Sequence, residues 1–240
     1  MIHMLLVYFA ILITYSASFL LLFILDYYIA NFRKYKIQNK FKSLEFIDDD
    51  HVISNKKSLM NNWTSGIPIS LFNLFITIPT CLVISMYNCV PTNEFVFVNE
   101  CLNLIGFTIF AELWFYTFHY ISHMNFIYKY FHKMHHKYTS PVAINALYAH
   151  PLDFFITSVM SICIGPSLIT AHIYTYILYT IVVVMINAFS HSGYNIKILN
   201  ITLFSAKFHD DHHYLFNYNY GYGIFLDKLC NTEMRDKYIE

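Results

Sequence analysis

Charge is what this chain has least of. Only 12% of its 240 residues are Asp, Glu, Lys or Arg, 57% are hydrophobic, and the mean hydropathy is +0.44. A soluble domain carries about 25% charged residues, so a globule of this size would have too little polar surface to cover itself. Lys and Arg number 15 against 15 Asp and Glu, so no basic excess points to nucleic acid. Cysteine is equally uninformative as chemistry. Cys81, Cys89, Cys101, Cys163 and Cys230 are odd in number and form no CxxC pair, which argues against a disulfide framework or a thiolate metal site. They are expected as small apolar fillers in or beside membrane spans. No repeat of fixed period is present. Tyr (21) and Phe (23) are abundant, as suits a wide lipid interface where aromatic rings anchor helix ends.

The uncharged runs set the organisation. Leu5 to Leu25 is 21 residues without a formal charge, enough to cross a hydrocarbon core of about 30 Å. No basic segment precedes it and no small-x-small site follows it, so a retained span is expected rather than a signal peptide. The polar stretch 31–57 carries Arg33, Lys34, Lys36, Lys40, Lys42, Lys56 and Lys57. Ile67 to Val90 is again uncharged, with Pro68 near its start and a kink expected at Pro79. An acidic loop with Glu94 and Glu100 leads to Cys101–Phe118, apolar apart from Glu112. Leu152 to Phe189, broken near Gly165-Pro166, has the length of a two-helix hairpin.

Basic loops stay on the cytosolic side, which puts the N-terminus outside and residues 119–151 and 190–240 in the cytosol. The sequons Asn62-Trp63-Thr64 and Asn200-Ile201-Thr202 then fall on the cytosolic side and are expected to carry no glycan. The expected fold is all-α: an integral membrane protein with about four transmembrane helices (two spans, then a helical hairpin) under a cytosolic histidine-rich helical cap. Residues 1–100 are expected to form an N-terminal transmembrane region with a cytosolic loop at 31–60, and 101–240 a second region that carries the clustered histidines.

Eleven of the thirteen histidines lie between 119 and 213. His119 and His123 are spaced i, i+4; His132, His135 and His136 are spaced i, i+3, i+4, and His209, His212 and His213 repeat that spacing. On a helix each set projects from one face. His150 and His191 stand singly at the two ends of the apolar hairpin, where spacing alone leaves them open between ligand and structural roles. His3, His51 and His172 read as structural or surface residues. The topology, drawn without reference to histidine, puts the three sets and the two single residues on one membrane face.

Imidazole suits iron, copper, nickel or zinc. One ion cannot use ten ligands, whereas two ions with four or five each fit the count, which implies a dinuclear centre. Soluble di-iron bundles use Glu and Glu-x-x-His ligands, and that pattern is lacking. A ligating imidazole normally donates its other N–H to a carboxylate or carbonyl, and Asp153, Asp210, Asp211 and Glu112 are the candidate acceptors. Glu112 lies seven residues before His119 on the same expected helix face. Tyr218, Tyr220 and Tyr222 are candidate packing or interface aromatics, and Lys129, Lys133 and Lys137 are candidates to face anionic lipid.

The segments HYISH (119–123), HKMHH (132–136) and HDDHH (209–213) resemble the three histidine boxes of the fatty acid hydroxylase / sterol desaturase superfamily. IYKYFHKMHH (127–136), YAHPLD (148–153), HSGYN (191–195) and the closing NYNYGYGIFLDKLCNT (217–232) are similar to its 4-methylsterol monooxygenase branch. The likeness covers about residues 110–232. Asp153 stands where the branch has Glu, and Asn231-Thr232 where it has Gly-Thr.

The resemblance makes all ten of these histidines, His150 and His191 included, ligands of two iron ions. It implies molecular oxygen as co-substrate, electrons from cytochrome b5 and its NAD(P)H-dependent reductase, and residence in the endoplasmic reticulum membrane. It further implies a sterol from the bilayer as substrate, oxidised at its 4-methyl group in sterol biosynthesis. The alternatives are another superfamily activity (sterol desaturase, sterol hydroxylase, or fatty acyl or sphingolipid hydroxylase) and a non-catalytic membrane metal-binding protein.

Overall fold

The computed structural model describes residues 2–29, 32, 35–37, 58–86, 91–198 and 201–234. Arg33, Lys34, Lys40, Lys42, Lys56 and Lys57, with His51, Cys89 and Asn200, lie outside them. The helices are α1 (Ile2–Tyr27), α2 (Ser58–Ser85), α3 (Phe97–Ser122), α4 (Asn125–Tyr130), α5 (Pro151–Leu168), α6 (Ile173–Ser190), α7 (Lys207–Leu215) and α8 (Ile224–Cys230).

Five of these, α1, α2, α3, α5 and α6, are long and apolar enough to cross a membrane. Set against the expected count of about four, the run that delivers the chain to His119 is itself a full helix of 26 residues and makes a fifth candidate span among the described residues. The cap also departs from all-α in one place. Asn195–Ile198 and Ile201–Ser205 pair as a two-stranded antiparallel hairpin.

Each spanning helix carries large apolar side chains outward: Leu5, Phe9 and Ile13 on α1, Ile105 and Ile109 on α3, Leu178 and Val182 on α6. Such a continuous apolar exterior needs lipid to cover it. Inside, Ile11, Phe107, Phe154, Tyr176 and Val184 belong to one buried cluster drawn from α1, α3, α5 and α6. The α3–α5 contact depends on Gly165. A Cβ there would stand 2.6 Å from Phe107 Cα, so a small residue lets the two backbones meet, as in other membrane helix pairs. Pro79, which has no N–H to give, follows a π-helical segment at Asn73–Thr77. The expected disturbance thus takes the form of a widened turn. In that segment Asn73 Nδ2 donates to the carbonyls of Leu147 and Ala149, both at 2.9 Å, tying α2 to the cap.

The two ends of the bundle differ. At one end Thr92 N–H donates to Ala171 O at 3.0 Å, joining the acidic loop to the α5–α6 turn. His172 is there, capping α6 by accepting from Tyr174 N–H. At the other end α3 finishes at His123, α5 starts after His150 and α6 stops before His191. The histidine sets and both single residues therefore share one end. Asp26, buried at that end, receives Lys36 Nζ at 2.7 Å, Trp63 Nε1 at 3.0 Å and Tyr194 OH at 2.9 Å, which fastens α1 and α2 to the cap. The sequon Asn62 is also buried, its Nδ2 donating to Ser140 O at 3.1 Å. Of the cysteines, Cys81 and Cys163 are buried fillers, Cys101 is half-buried and Cys230 is exposed.

Candidate metal centre

Nine of the ten predicted histidines converge. His119, His123, His132, His136 and His212 form one group, and His135, His191, His209 and His213 a second; within each group the ligand nitrogens lie within 4.8 Å of one another. The groups adjoin, with the His136 and His213 rings 4.7 Å apart.

Although the spacing puts each set on one helix face, the three-histidine boxes do not each serve one group. In each three-histidine box the i, i+4 pair stays together and the i+3 residue crosses to the other group. His132 and His136 join the first and His135 the second, while His209 and His213 join the second and His212 the first. Successive α-helical residues turn by about 100°. Residues i and i+4 therefore diverge by only about 40°, whereas i+3 and i+4 diverge by about 100°. α7 obeys this geometry directly. His132–Lys137 is a 3-10 helix rather than the expected α-helix, yet it makes the same division.

The nitrogen spacings fit a metal. His132 and His136 Nε2 are 3.1 Å apart, His136 and His212 3.1 Å, His191 and His209 3.0 Å, His209 and His213 3.2 Å, and His135 and His191 3.4 Å. Metal–imidazole bonds of about 2.0–2.1 Å put neighbouring ligand nitrogens about 2.9–3.4 Å apart around one ion.

The opposite ring nitrogens explain why these contacts need a cation. His119 Nδ1 donates to Tyr220 O (2.7 Å), His132 to Asp153 Oδ2 (2.9 Å), His191 to Asn187 O (2.9 Å), His212 to Tyr218 O (2.6 Å) and His135 to Tyr148 O (3.4 Å). A neutral ring whose proton sits on Nδ1 presents a bare lone pair at Nε2. His135 and His191 thus point lone pairs at each other, an arrangement that repels unless a positive ion lies between. Burial, and next the charge of neighbouring imidazoles, hold His123, His135, His136, His209, His212 and His213 well below the usual histidine range. Burial, partly offset by the hydrogen bond to Asn187 O, brings His191 to about 4. The rings are neutral donors, ready for metal, at physiological pH.

His150 is not brought into either group. It caps α5, its Nδ1 accepting from Leu152 N–H at 3.3 Å, and its ring lies 5.1 Å from Phe131. Of the four candidate carboxylates, Asp153 meets a histidine, and its other oxygen accepts from Ser122 Oγ at 3.2 Å. Asp211 instead pairs with Lys207 at 2.6 Å, one turn away on α7. Asp210 is buried in α7. Glu112 does not reach His119; its Oε2 accepts the Tyr222 N–H (3.0 Å) and the Gly223 N–H (3.3 Å).

Asp227 has no role in the sequence reading, although it sits in the closing run. Fully buried, it accepts from Tyr220 N–H and Gly221 N–H, both at 2.8 Å, and from Thr232 Oγ1 at 2.7 Å. It thereby holds the turn whose Tyr220 carbonyl fixes His119. Asn231 occupies the left-handed region at φ 58°, closing α8. Glycine is the commonest residue there and Asn the next, which accounts for Asn where the resembling branch has Gly.

The family described as fatty acid hydroxylase matches residues 104–232, more than half of the chain. This chain belongs to the fatty acid hydroxylase family. All nine converging histidines lie in the matched segment. Over 225 residues the chain is 31% identical to a putative methylsterol monooxygenase of Dictyostelium discoideum, covering 90% of this chain and 79% of that protein. It is 34% identical to the human fatty acid hydroxylase domain-containing protein 2 over 55% of this chain and 38% of the relative. It is 37% identical to methylsterol monooxygenase 1 of Danio rerio over 53% of this chain and 45% of the relative. The chain thus spans less than half the length of the human and fish proteins it matches. No solved structure matches it.

Proposed function

We propose that this fatty acid hydroxylase family member is an oxygen-dependent di-iron oxidoreductase of the endoplasmic reticulum membrane that oxidises the 4-methyl group of a sterol. Cytochrome b5 and its NAD(P)H-dependent reductase supply the electrons, and residues 101–240 form the catalytic domain, with the histidines facing the cytosol. The observation that carries this reading is the division of nine imidazoles, seven buried and two half-buried, into adjoining groups of five and four. Each group offers enough nitrogens for one ion, and the set is too large for a single structural zinc. Family membership and methylsterol-type relatives over most of the chain support the lipid and the oxygen chemistry.

Iron held there would supply what no side chain can, the reduction of O2 and the attack on an unactivated C–H bond. For each O2, two electrons and two protons enter, one oxygen atom goes to the lipid and the other leaves as water. The protein's own residues orient and shield. Five carbonyl or carboxylate acceptors fix the tautomers of His119, His132, His135, His191 and His212. Asp153 adds negative charge behind His132, which raises that ring's basicity toward a metal. Phe115, Ala146, Ala149 and Ile186 wall a cavity of about 40 Å³ beside His119, His135 and His209, room for about one water-sized molecule.

The test is turnover by the full chain in nanodiscs with cytochrome b5, reductase, NADH, oxygen and a labelled 4,4-dimethylsterol. Oxidation at a 4-methyl group is expected. A second reading, hydroxylation of a fatty acyl chain, has support from relatives named fatty acid hydroxylase in Mycosarcoma maydis and fatty acid hydroxylase domain-containing in human. Turnover of an acyl lipid with an untouched sterol would favour it. One zinc per chain and no oxygen consumption would overturn both in favour of a metal-binding protein without catalysis.

A further inference from the structure

Beside the histidine cavity lies a second, larger one of about 370 Å³ between α3 and α6, walled by Leu104, Ala111, Leu178, Val182, Val183 and Ile186 with Thr108, Glu112, Tyr179 and Tyr222. Its residues run from 104 to 112 on α3 and from 178 to 186 on α6, about 12 Å along each helix. Leu178, Val182 and Ile186 are 52%, 46% and 44% exposed on the outer surface of the bundle, so the cleft opens sideways where lipid chains would lie. The two cavities share two lining residues, Ile186 and Tyr222.

Tyr222 is the partition. Its ring stacks on Phe115 at 3.9 Å, and its hydroxyl meets Ser161 Oγ of α5 at 2.8 Å. Its backbone N–H is held by Glu112, a wall residue of the cleft. The lining contains no Lys, Arg or His. Its single acid, Glu112, already accepts two backbone N–H groups. A carboxylate or phosphate head would find no counter-charge and a carboxyl group already in place, whereas an uncharged hydrocarbon body is matched by the apolar wall.

We propose that this α3–α6 cleft is the lateral entry site for an uncharged, hydrocarbon-bodied lipid, and that Tyr222 is the gate between it and the metal centre. The inference rests on the proposed lipid oxidation only for the reason the lipid enters; the binding site stands on the cleft itself. The test uses the full chain in nanodiscs and two photoactivatable probes, a neutral diazirine sterol and a diazirine fatty acid, with labelled peptides mapped by mass spectrometry.

The neutral probe should label α3 and α6 around residues 104–112 and 178–186, and the anionic probe at least fivefold less. Val182→Trp and, independently, Leu178→Trp should block the cleft and cut that labelling at least fivefold. Ile109→Trp, on an exposed face of α3 outside the cleft, should not. Tyr222→Ala should carry label through to peptides holding Phe115 and Asn187. Unchanged metal content and melting temperature show that each variant is folded. Labelling elsewhere, or equal labelling by the fatty acid, overturns the inference even if sterol is oxidised. Cleft labelling lost in both tryptophan variants supports it even if no lipid is oxidised, and then only the oxidation reading falls.

Discussion

Glu112 and Asp227, 115 positions apart in sequence, divide four consecutive backbone N–H groups between them: Asp227 takes Tyr220 and Gly221, Glu112 takes Tyr222 and Gly223. One carboxylate rises from α3 and the other from α8. The turn they grip fixes His119 through the Tyr220 carbonyl and carries Tyr222. Gly221 is required by closeness, since a Cβ there would stand 2.6 Å from Glu112 Oε1 and 3.0 Å from Asp227 Oδ2.

Removing one carboxylate of this pair should therefore loosen the metal centre without touching a ligand. Asp227→Asn exchanges an acceptor oxygen for an NH2 that faces backbone N–H donors. Hydrogen bonds to charged groups are worth about 1.5–3 kcal/mol, and a loss of that order is expected in thermal unfolding of the detergent-solubilised protein. Gly221→Ala should cost stability as well, because both carboxylates would have to move. An unchanged melting temperature in either variant would show that the turn is held by other contacts.

Asp153 is in direct contact with a converging histidine, through His132 Nδ1 at 2.9 Å. Loss of such a partner typically weakens a metal site about 10–100-fold. Asp153→Asn should lower metal retention by that order on dialysis against a chelator, read as metal per chain by mass spectrometry. Asp211→Asn, whose carboxylate meets Lys207 instead, should retain metal as the parent protein does.

The crossover of the boxes makes a sharper prediction. His212 lies within HDDHH beside His213 yet belongs with His136, 3.1 Å away. His212→Ala and His136→Ala should deplete the same ion, while His135→Ala and His191→Ala deplete the other. Each variant should fall toward one metal per chain, and His136→Ala with His212→Ala should lose little more than either alone. Independent losses from one box, with His212 behaving like His209 and His213, would refute the division.

Periodicity made the three boxes, the apolar runs and the shared end of the bundle legible before any fold was known. A charge-free run of about 20 residues has few options besides spanning. The partition of each box was not legible, because i, i+3, i+4 spacing marks one broad face and the split depends on where the neighbouring helices stand. Nor were the acceptors of His119, His135, His191 and His212, which are main-chain carbonyls that every residue carries. Glu112 shows the same limit. Its helical register with His119 was correct, but its partner came from a turn more than a hundred residues away.

The neutral histidines also set a pH dependence for the protein stripped of metal. In the unfolded chain a histidine titrates near 6.5, whereas burial brings His191 to about 4 in the fold. Between those values the unfolded state binds the extra proton, so stability rises with pH across the window. It is full above about pH 6.5 and falls as the pH drops toward 4; for His191 alone the loss is about 3 kcal/mol. The other depressed histidines share that upper edge, so the melting temperature of metal-free protein should decline steeply below about pH 6.5. Loading metal should move the decline to lower pH, because protons must then displace the ion from nitrogens that are already unprotonated. A melting temperature independent of pH from about 7 to 4.5 in the metal-free protein would mean that these rings are solvated and charged in the fold, and not packed as neutral donors.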